Sequence, residues 1–269
     1  MAHVYRRSRN GLRSYPQAGP QAPSATLDTR LRRRHAARVK LVGMTLAFTH
    51  LGFAPDFVDY EAGLEAQRSL HTAVVARTAP STVLLLEHAA VYTAGKRTED
   101  HERPLDGTPV VPVDRGGKLT WHGPGQLVGY PIVRLAQPRG IRAYVELLEE
   151  VMITVISEYG IKAEHVDGRS GVWVRADENG PDRKIAAIGI SVHEGVTGHG
   201  FAINCNNSLE PYAQIIACGI TDAGTTTISA ECGRDVSPSD IAGRISQELA
   251  RRAGEFVADD SRATEGALV

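Results

Sequence analysis

An α+β fold with mixed, largely antiparallel sheets and packed helices is what this sequence predicts, and three observations carry the prediction. Short apolar runs suited to strands outnumber the stretches with helical periodicity, and their spacing is not a regular strand and helix alternation. Two of the runs are separated by the glycine-containing "EGVTGH" in the manner of a hairpin. A doubly wound parallel sheet would need the alternation that is missing. The chain has 269 residues, 42% of them hydrophobic, enough for a sizeable core.

Residues 1–43 carry ten Arg or Lys against one acid, Asp28, while the remainder carries 20 basic and 30 acidic residues. The first segment has no apolar period and cannot bury enough surface to offset its ordering entropy, so it is expected to be a disordered basic leader. Three origins remain open for it: a tail that binds nucleic acid or membrane, an Arg-rich targeting segment, or sequence read through from an early start codon. Met44 opens the first stretch with the character of a folded chain. One domain is expected over 44–256 and a flexible tail over 257–269.

Helices are expected where apolar residues recur at helical spacing. The stretch 59–78 puts Tyr60, Leu64, Gln67, Leu70 and Val74 on one face; 141–160 puts Tyr144, Leu148, Val151, Val155 and Tyr159 on another and closes with Gly160. The third, 237–257, starts with Ser237 as cap, Pro238 in the first turn and Asp240 three residues after the cap, and buries Ile241, Ile245 and Leu249. Strands are expected at 82–87, 109–113, 127–133, 171–174, 184–193 and 200–204.

Several functions are excluded or disfavoured by spacing. No apolar run is long enough to cross a bilayer, and "VGMTLAF" is too short for a secretory signal. Cys205, Cys218 and Cys232 form no disulfide framework and no metal-finger spacing, which points to a reducing, cytoplasmic setting. Gly95-Lys96 and Gly117-Lys118 lack the Ser or Thr of a phosphate-binding loop, and "GPGQLVG" spaces its glycines wrongly for a dinucleotide fingerprint. His122, His193 and His199 do not have helical metal-ligand spacing, and no metal is expected.

Three stretches invite chemistry. "RGGKLTWHGPGQLVGYP", 115–131, has five glycines, suited either to close approach by a ligand or to a pair of tight turns. Trp121 fits a core or a lid equally. Lys184 at the foot of "KIAAIGISV" reads by itself as a solvated edge charge. Cys218, in "AQIIACGI", fits a small buried filler or an exposed nucleophile. A nucleophilic cysteine must be a thiolate, and an adjacent cation is a direct way to populate one. If "EPYAQIIACG" is a helix ended by Gly219, its dipole opposes that thiolate, and a cationic partner is needed to reverse the effect.

Taken in order, "RGGKLTWHGPGQLVGYP", "KIAAIGISV", "HGFAIN" and "PYAQIIACGI" resemble the lipoyl(octanoyl) transferases of lipoate biosynthesis, over about residues 44–250. The resemblance implies the fold of the biotin and lipoate protein ligase catalytic domain. It also implies transfer of octanoyl from acyl carrier protein to a lysine of the lipoyl domains of 2-oxoacid dehydrogenase E2 subunits and of the glycine cleavage H protein. Nucleic acid and membrane are not among the implied partners.

Carried over by position, Cys218 matches the acyl-accepting cysteine and Lys184 the lysine that tunes it. The first substrate-binding segment is Arg115, Gly116, Gly117, Lys118, Leu119, Thr120, Trp121 and His122. The second is Ala187, Ile188 and Gly189, and the third Gly200, Phe201 and Ala202. Cys205 and Cys232 have no match and read as structural. The implied route is covalent catalysis through a Cys218 thioester, with no cofactor, metal or ATP. The rivals are an ATP-dependent lipoate or biotin ligase and a non-catalytic module that binds carrier proteins.

Overall fold

A computed structural model describes residues 36–41, 44–104, 108–138, 140–178, 180–215 and 222–259. The expected leader falls outside them up to residue 35, as does the tail from residue 260, and so do Cys218 and Gly219.

The chain opens with strands β1 (Ala36–Leu41) and β2 (Met44–Gly52), then helix α1 (Tyr60–Val75) and strand β3 (Ser81–Leu86). Strands β4 (Val91–Ala94), β5 (Val110–Pro112), β6 (Leu119–His122) and β7 (Gln126–Ile132) follow, then helix α2 (Ile141–Ser157). Strands β8 (Ala163–Val166), β9 (Arg169–Val174), β10 (Arg183–His193) and β11 (Val196–Asn204) lead to a 3-10 turn, Glu210–Gln214. The described chain ends with β12 (Gly224–Thr225), α3 (Ile228–Cys232) and α4 (Pro238–Phe256).

Among the described residues, nine strands form one sheet in the order β1-β2-β3-β7-β11-β10-β9-β8, with β12 added beside β10. The pairs β2 with β3 and β10 with β12 are parallel and the others antiparallel, so the expected mixed, largely antiparallel α+β fold is found. A small sheet, β5-β4-β6, carries the second half of the stretch 115–122, as strand β6.

Strand alternation divides the large sheet between two cores. Val83, Leu85, Leu127, Phe201 and Ile203 face one side and pack with Leu148, Val151 and Val155 of α2 and Ile241, Ile245 and Leu249 of α4. Leu84, Leu86, Val128, Tyr130 and Ala202 face the other, with Val74 of α1. That second face carries the site. Helix ends follow their sequence signals: Asp59 caps α1, Ser237 and Asp240 form a capping box on α4, and Gly160 turns the chain after α2 with φ 78°.

Four expectations on extent need amending. Strand β1 lies inside the segment expected to be disordered, where it pairs along its length with β2. Val257, expected to open the flexible tail, is buried and bridges Leu135. The hairpin turn is only Glu194-Gly195, both with left-handed φ, because β10 and β11 extend into the rest of "EGVTGH". Over the described part of "EPYAQIIACG", residues 210–215, the conditional helix is instead a 3-10 turn that stops at Gln214, with Ile215 extended at φ −138°; residues 216–219 lie outside the described residues. A helix dipole therefore does not run through Ile215 toward Cys218.

Two glycines predict opposite responses to the same change. A Cβ on Gly129 in β7 would lie 2.2 Å from Phe201 Cζ, whereas one on Gly243 in α4 meets nothing within 4 Å. Gly129→Ala is expected to lower stability by about 1–3 kcal/mol and Gly243→Ala to raise it by about 0.5–1 kcal/mol, measured by urea denaturation.

Candidate active site

Lys184 is buried at 9% exposure, not the solvated edge charge that its place in the sequence suggests. The cause is a register shift between Lys184 and Ala186 in the β9–β10 ladder. Ile185 and Ala186 are consecutive, yet both lie in the α2 and α4 core. Strict alternation would put Lys184 on that core face; the bulge turns it to the α1 face. Among the described residues no carboxylate pairs with Lys184. Its ammonium instead lies over the Trp173 ring, Nζ 4.7 Å from the centroid.

Two cavities of about 270 Å³ each open on this face, and Thr120, Lys184, Ala187 and Ala202 line both. The first also has Arg115, Gly117, Lys118, His122, Ile188, Gly189, Gly200 and Phe201 in its wall. The three segments matched by position thus converge on one cavity. Cross-strand partners build its floor: Ala187 opposite Ala202 and Gly189 opposite Gly200, all small.

Gly116, Leu119 and Trp121 are not in the walls. The Gly116 N–H donates to Ile190 O at 3.0 Å and ties the segment to β10, Leu119 is fully buried, and Trp121 is buried edge-on to Tyr212. Arg115 is the segment's internal brace: its guanidinium donates to Thr93 O, Thr93 Oγ1, Gly116 O and Lys118 O. Lys118 reaches Glu102 at 2.7 Å and Glu99 at 2.8 Å.

Cys218 lies outside the described residues, but its flanks do not. The second cavity is walled by Tyr212, Ala213 and Ile215 before it and by Ala223, Gly224 and Thr225 after it. Strand β12 pairs with β10 so that Thr225 sits beside Lys184, and the Thr226 N–H donates to Lys184 O at 3.0 Å. Arg183 secures this join by holding Asp177 and Glu231, and Glu231 also accepts from Thr226 Oγ1 at 2.6 Å. Those two carboxylates hold the Arg183 guanidinium above its already high range.

Gln126, Asn204, Tyr212 and Tyr130, which the sequence did not single out, join His122 in the walls. His122 Nδ1 contacts Gln126 Oε1 at 2.7 Å, so it carries the proton and donates. Gln126 Nε2 donates in turn to Asn204 Oδ1 and the Tyr212 hydroxyl, both at 2.9 Å, and Asn204 Nδ2 donates to Thr226 O. The chain of bonds links the first cavity to the second. Behind Tyr130, which lines the first cavity, His88 Nδ1 donates to Val58 O at 2.9 Å and its Nε2 accepts from the Tyr130 hydroxyl at 2.8 Å.

Burial lowers His88 to about 4 despite the Val58 bond, and burial with the nearby His88 ring lowers His122 to about 3, so both are neutral at pH 7. Burial also raises Tyr60, in the same wall, to about 12. His199, at a left-handed φ of 57°, contacts Asp114 at 2.7 Å; burial outweighs that carboxylate and keeps the imidazole below its ordinary range.

Cys205 is fully buried, and burial raises its thiol far above the ordinary range, which fits a structural role; Cys232 is half-buried near the end of α3. Arg169, in the wall of the first cavity, is paired with Asp222, and Arg142 on α2 is paired with Glu146. Among the described residues no cluster of three or more His, Cys, Asp or Glu is placed to hold a metal ion, and no helix is long and apolar enough to cross a membrane.

The family described as "Lipoyl protein ligase A/B catalytic domain" matches residues 59–250. An octanoyltransferase of Arthrobacter sp. (strain FB24) is 66% identical over 226 residues, covering 84% of this chain and 100% of its own. One of Renibacterium salmoninarum is 62% identical over 231 residues, covering 83% and 99%. Among solved structures, the bipartite lipoate protein ligase of Thermoplasma acidophilum is similar in fold, with TM-score 0.54 at 12% identity over 74% of this chain and 82% of that one.

The two lowered histidines set a pH dependence of stability. Unfolded imidazoles take a proton near 6.5, while His88 and His122 in the fold resist to about 4 and 3. As pH falls through that window the unfolded chain binds protons that the fold refuses, and stability drops. The urea midpoint is expected to fall between about pH 6.5 and 4. His122→Asn, which keeps an N–H for Gln126, should flatten that slope; an unchanged slope contradicts the assignment.

Proposed function

The chain belongs to the lipoyl protein ligase A/B catalytic domain family, and from that premise we propose that octanoyl passes from an acyl carrier protein to Cys218 as a thioester and then to a lipoyl-domain lysine. The chain is an octanoyltransferase of lipoate biosynthesis.

One observation carries it: Ile215 and Ala223, on either side of Cys218, wall the same cavity as Lys184. Three residues of chain span at most about 11 Å, so the thiol stays within reach of that cavity. Parallel pairing of β12 with Arg183 and Lys184 draws the segment's other end to the same place.

In the first step the Cys218 thiolate attacks the thioester carbonyl of the octanoyl carrier. The tetrahedral intermediate collapses with loss of the carrier thiol, which leaves with the proton Lys184 accepted from Cys218. One thioester replaces another, so the exchange needs no ATP. In the second step the acceptor lysine amine attacks the acyl-enzyme, Lys184 removes a proton from it, and the Cys218 thiolate departs as the amide forms. Lys184 suits this duty because no carboxylate ties up its amine among the described residues.

Ala187, Ala202, Gly189 and Gly200 leave a smooth trough for the acyl tail. Each buried methylene is worth about 0.8 kcal/mol, so the tail contributes on the order of 5 kcal/mol. The acceptors in this reading are the lipoyl domains of 2-oxoacid dehydrogenase E2 subunits and glycine cleavage H protein. The setting is cytoplasmic, since a reactive free thiol needs a reducing compartment. The catalytic domain is 44–256, with β1 as an added edge strand.

Intact mass after incubation with octanoyl-carrier protein, without ATP, tests the intermediate. The parent is expected to gain one octanoyl group and Cys218→Ala none, and Lys184→Ala should acylate about a hundredfold more slowly or worse. Acylation only with free octanoate and ATP would instead support a ligase, and no adduct under either condition a binding module.

A further inference from the structure

Lys184 and Trp173 stand directly opposite each other in the antiparallel β9–β10 pair, so their side chains share one face of the sheet. The bulge that follows Lys184 makes that face the cavity side. Trp173 is fully buried, and its Nε1 donates to Arg169 O at 3.3 Å. Gly171, two residues before it, completes the seat. A Cβ there would lie 2.4 Å from Ala186 O, so glycine, at its φ of 103°, is what lets the two backbones approach, and Lys184 Cε packs in ordinary contact over the space it leaves, 3.4 Å from that position. The Gly171 N–H donates to Glu149 Oε1 at 2.6 Å, and Glu149 Oε2 contacts His165 Nδ1 at 2.9 Å, which fixes the strand from the α2 side.

We propose that Trp173 is the positioning residue of Lys184, holding the ammonium by its indole face at the wall shared by the two cavities. This rests on Lys184 moving the protons of acyl transfer. A ring face attracts a cation within about 6 Å of its centroid, and the observed separation is 4.7 Å. The indole has no acceptor for the ammonium protons, whereas a carboxylate would accept one and compete with the substrate for it. A cationic amine is therefore seated without a partner that takes part in its proton exchange. Trp173 also lines the second cavity, where the flanks of Cys218 converge, so the seat and the proposed thiol site share a wall.

The contact and its consequence are read separately. In enzyme labelled with 13C-lysine, the Lys184 ε-protons are expected upfield of the other four lysines through the indole ring current, assigned by the peak absent in Lys184→Arg. Trp173→Phe should retain most of that shift and Trp173→Leu lose it. Trp173→Leu should lower kcat about tenfold while KM for octanoyl-carrier protein changes by less than about twofold, and Trp173→Phe should recover most of kcat.

A Lys184 resonance at the unshifted position in the parent overturns the proposal without any variant, should the leucine variant not fold. Equal loss in the Phe and Leu variants, with KM rising alongside, overturns it in favour of a packing role. A shifted resonance with kcat indifferent to Lys184→Arg overturns the positioning role by removing its premise, and leaves the contact standing.

Discussion

The register shift between Lys184 and Ala186 is the constraint on which the site depends. Strand β10 alternates core and cavity residues, and its core half is committed to α2 and α4 through Ile185 and Ala186. Without the extra residue, the ammonium would point into that apolar core, where a charge without a partner costs several kcal/mol or is not retained. The bulge separates the two demands. The strand keeps its core packing and still presents one cation to the opposite face, over an aromatic ring and beside the chain that leads into and out of residue 218.

The other face follows from the same division of labour. Because α2 and α4 cover one side of the sheet and α1 only part of the other, the uncovered stretch of β7, β10 and β11 becomes a concave surface. Small residues make its floor, and the β4–β6 sheet closes it with the segment braced by Arg115. Polar groups in the walls are satisfied in sequence, from His122 through Gln126 to Asn204 and Tyr212. A satisfied network of this kind is rigid, and burial keeps the imidazoles of His88 and His122 neutral at pH 7 despite the bonds they make.

Much of this was legible in the residues. Capping at Ser237, the turn at Gly160 and the alternating runs of β3, β7 and β11 are local signals, and local physics decides them. The motifs around Arg115, Lys184 and Gly200 identified the segments that converge. What was not legible depends on partners distant in sequence. The burial of Lys184 needs the bulge, which no residue in "RKIAAIGISV" announces. His88 follows an apolar strand and is explained only by Tyr130, 42 residues on. Over residues 210–215 a short turn stands where "EPYAQIIACG" suggested a helix, with Tyr212 held by Gln126 and packed on Trp121. The strands β4, β6 and β8 are too short, at four residues each, to show a period.

The central claim is that the Lys184 ammonium acts directly on the Cys218 sulfur, and the pH dependence of thiol alkylation measures it. The rate of Cys218 modification by iodoacetamide, followed by peptide mass in the parent and in Lys184→Met, reports the thiolate population. The account predicts an inflection below that of a free cysteine, near about 8.5, in the parent and a move upward in Lys184→Met. Identical profiles in the two proteins would contradict it.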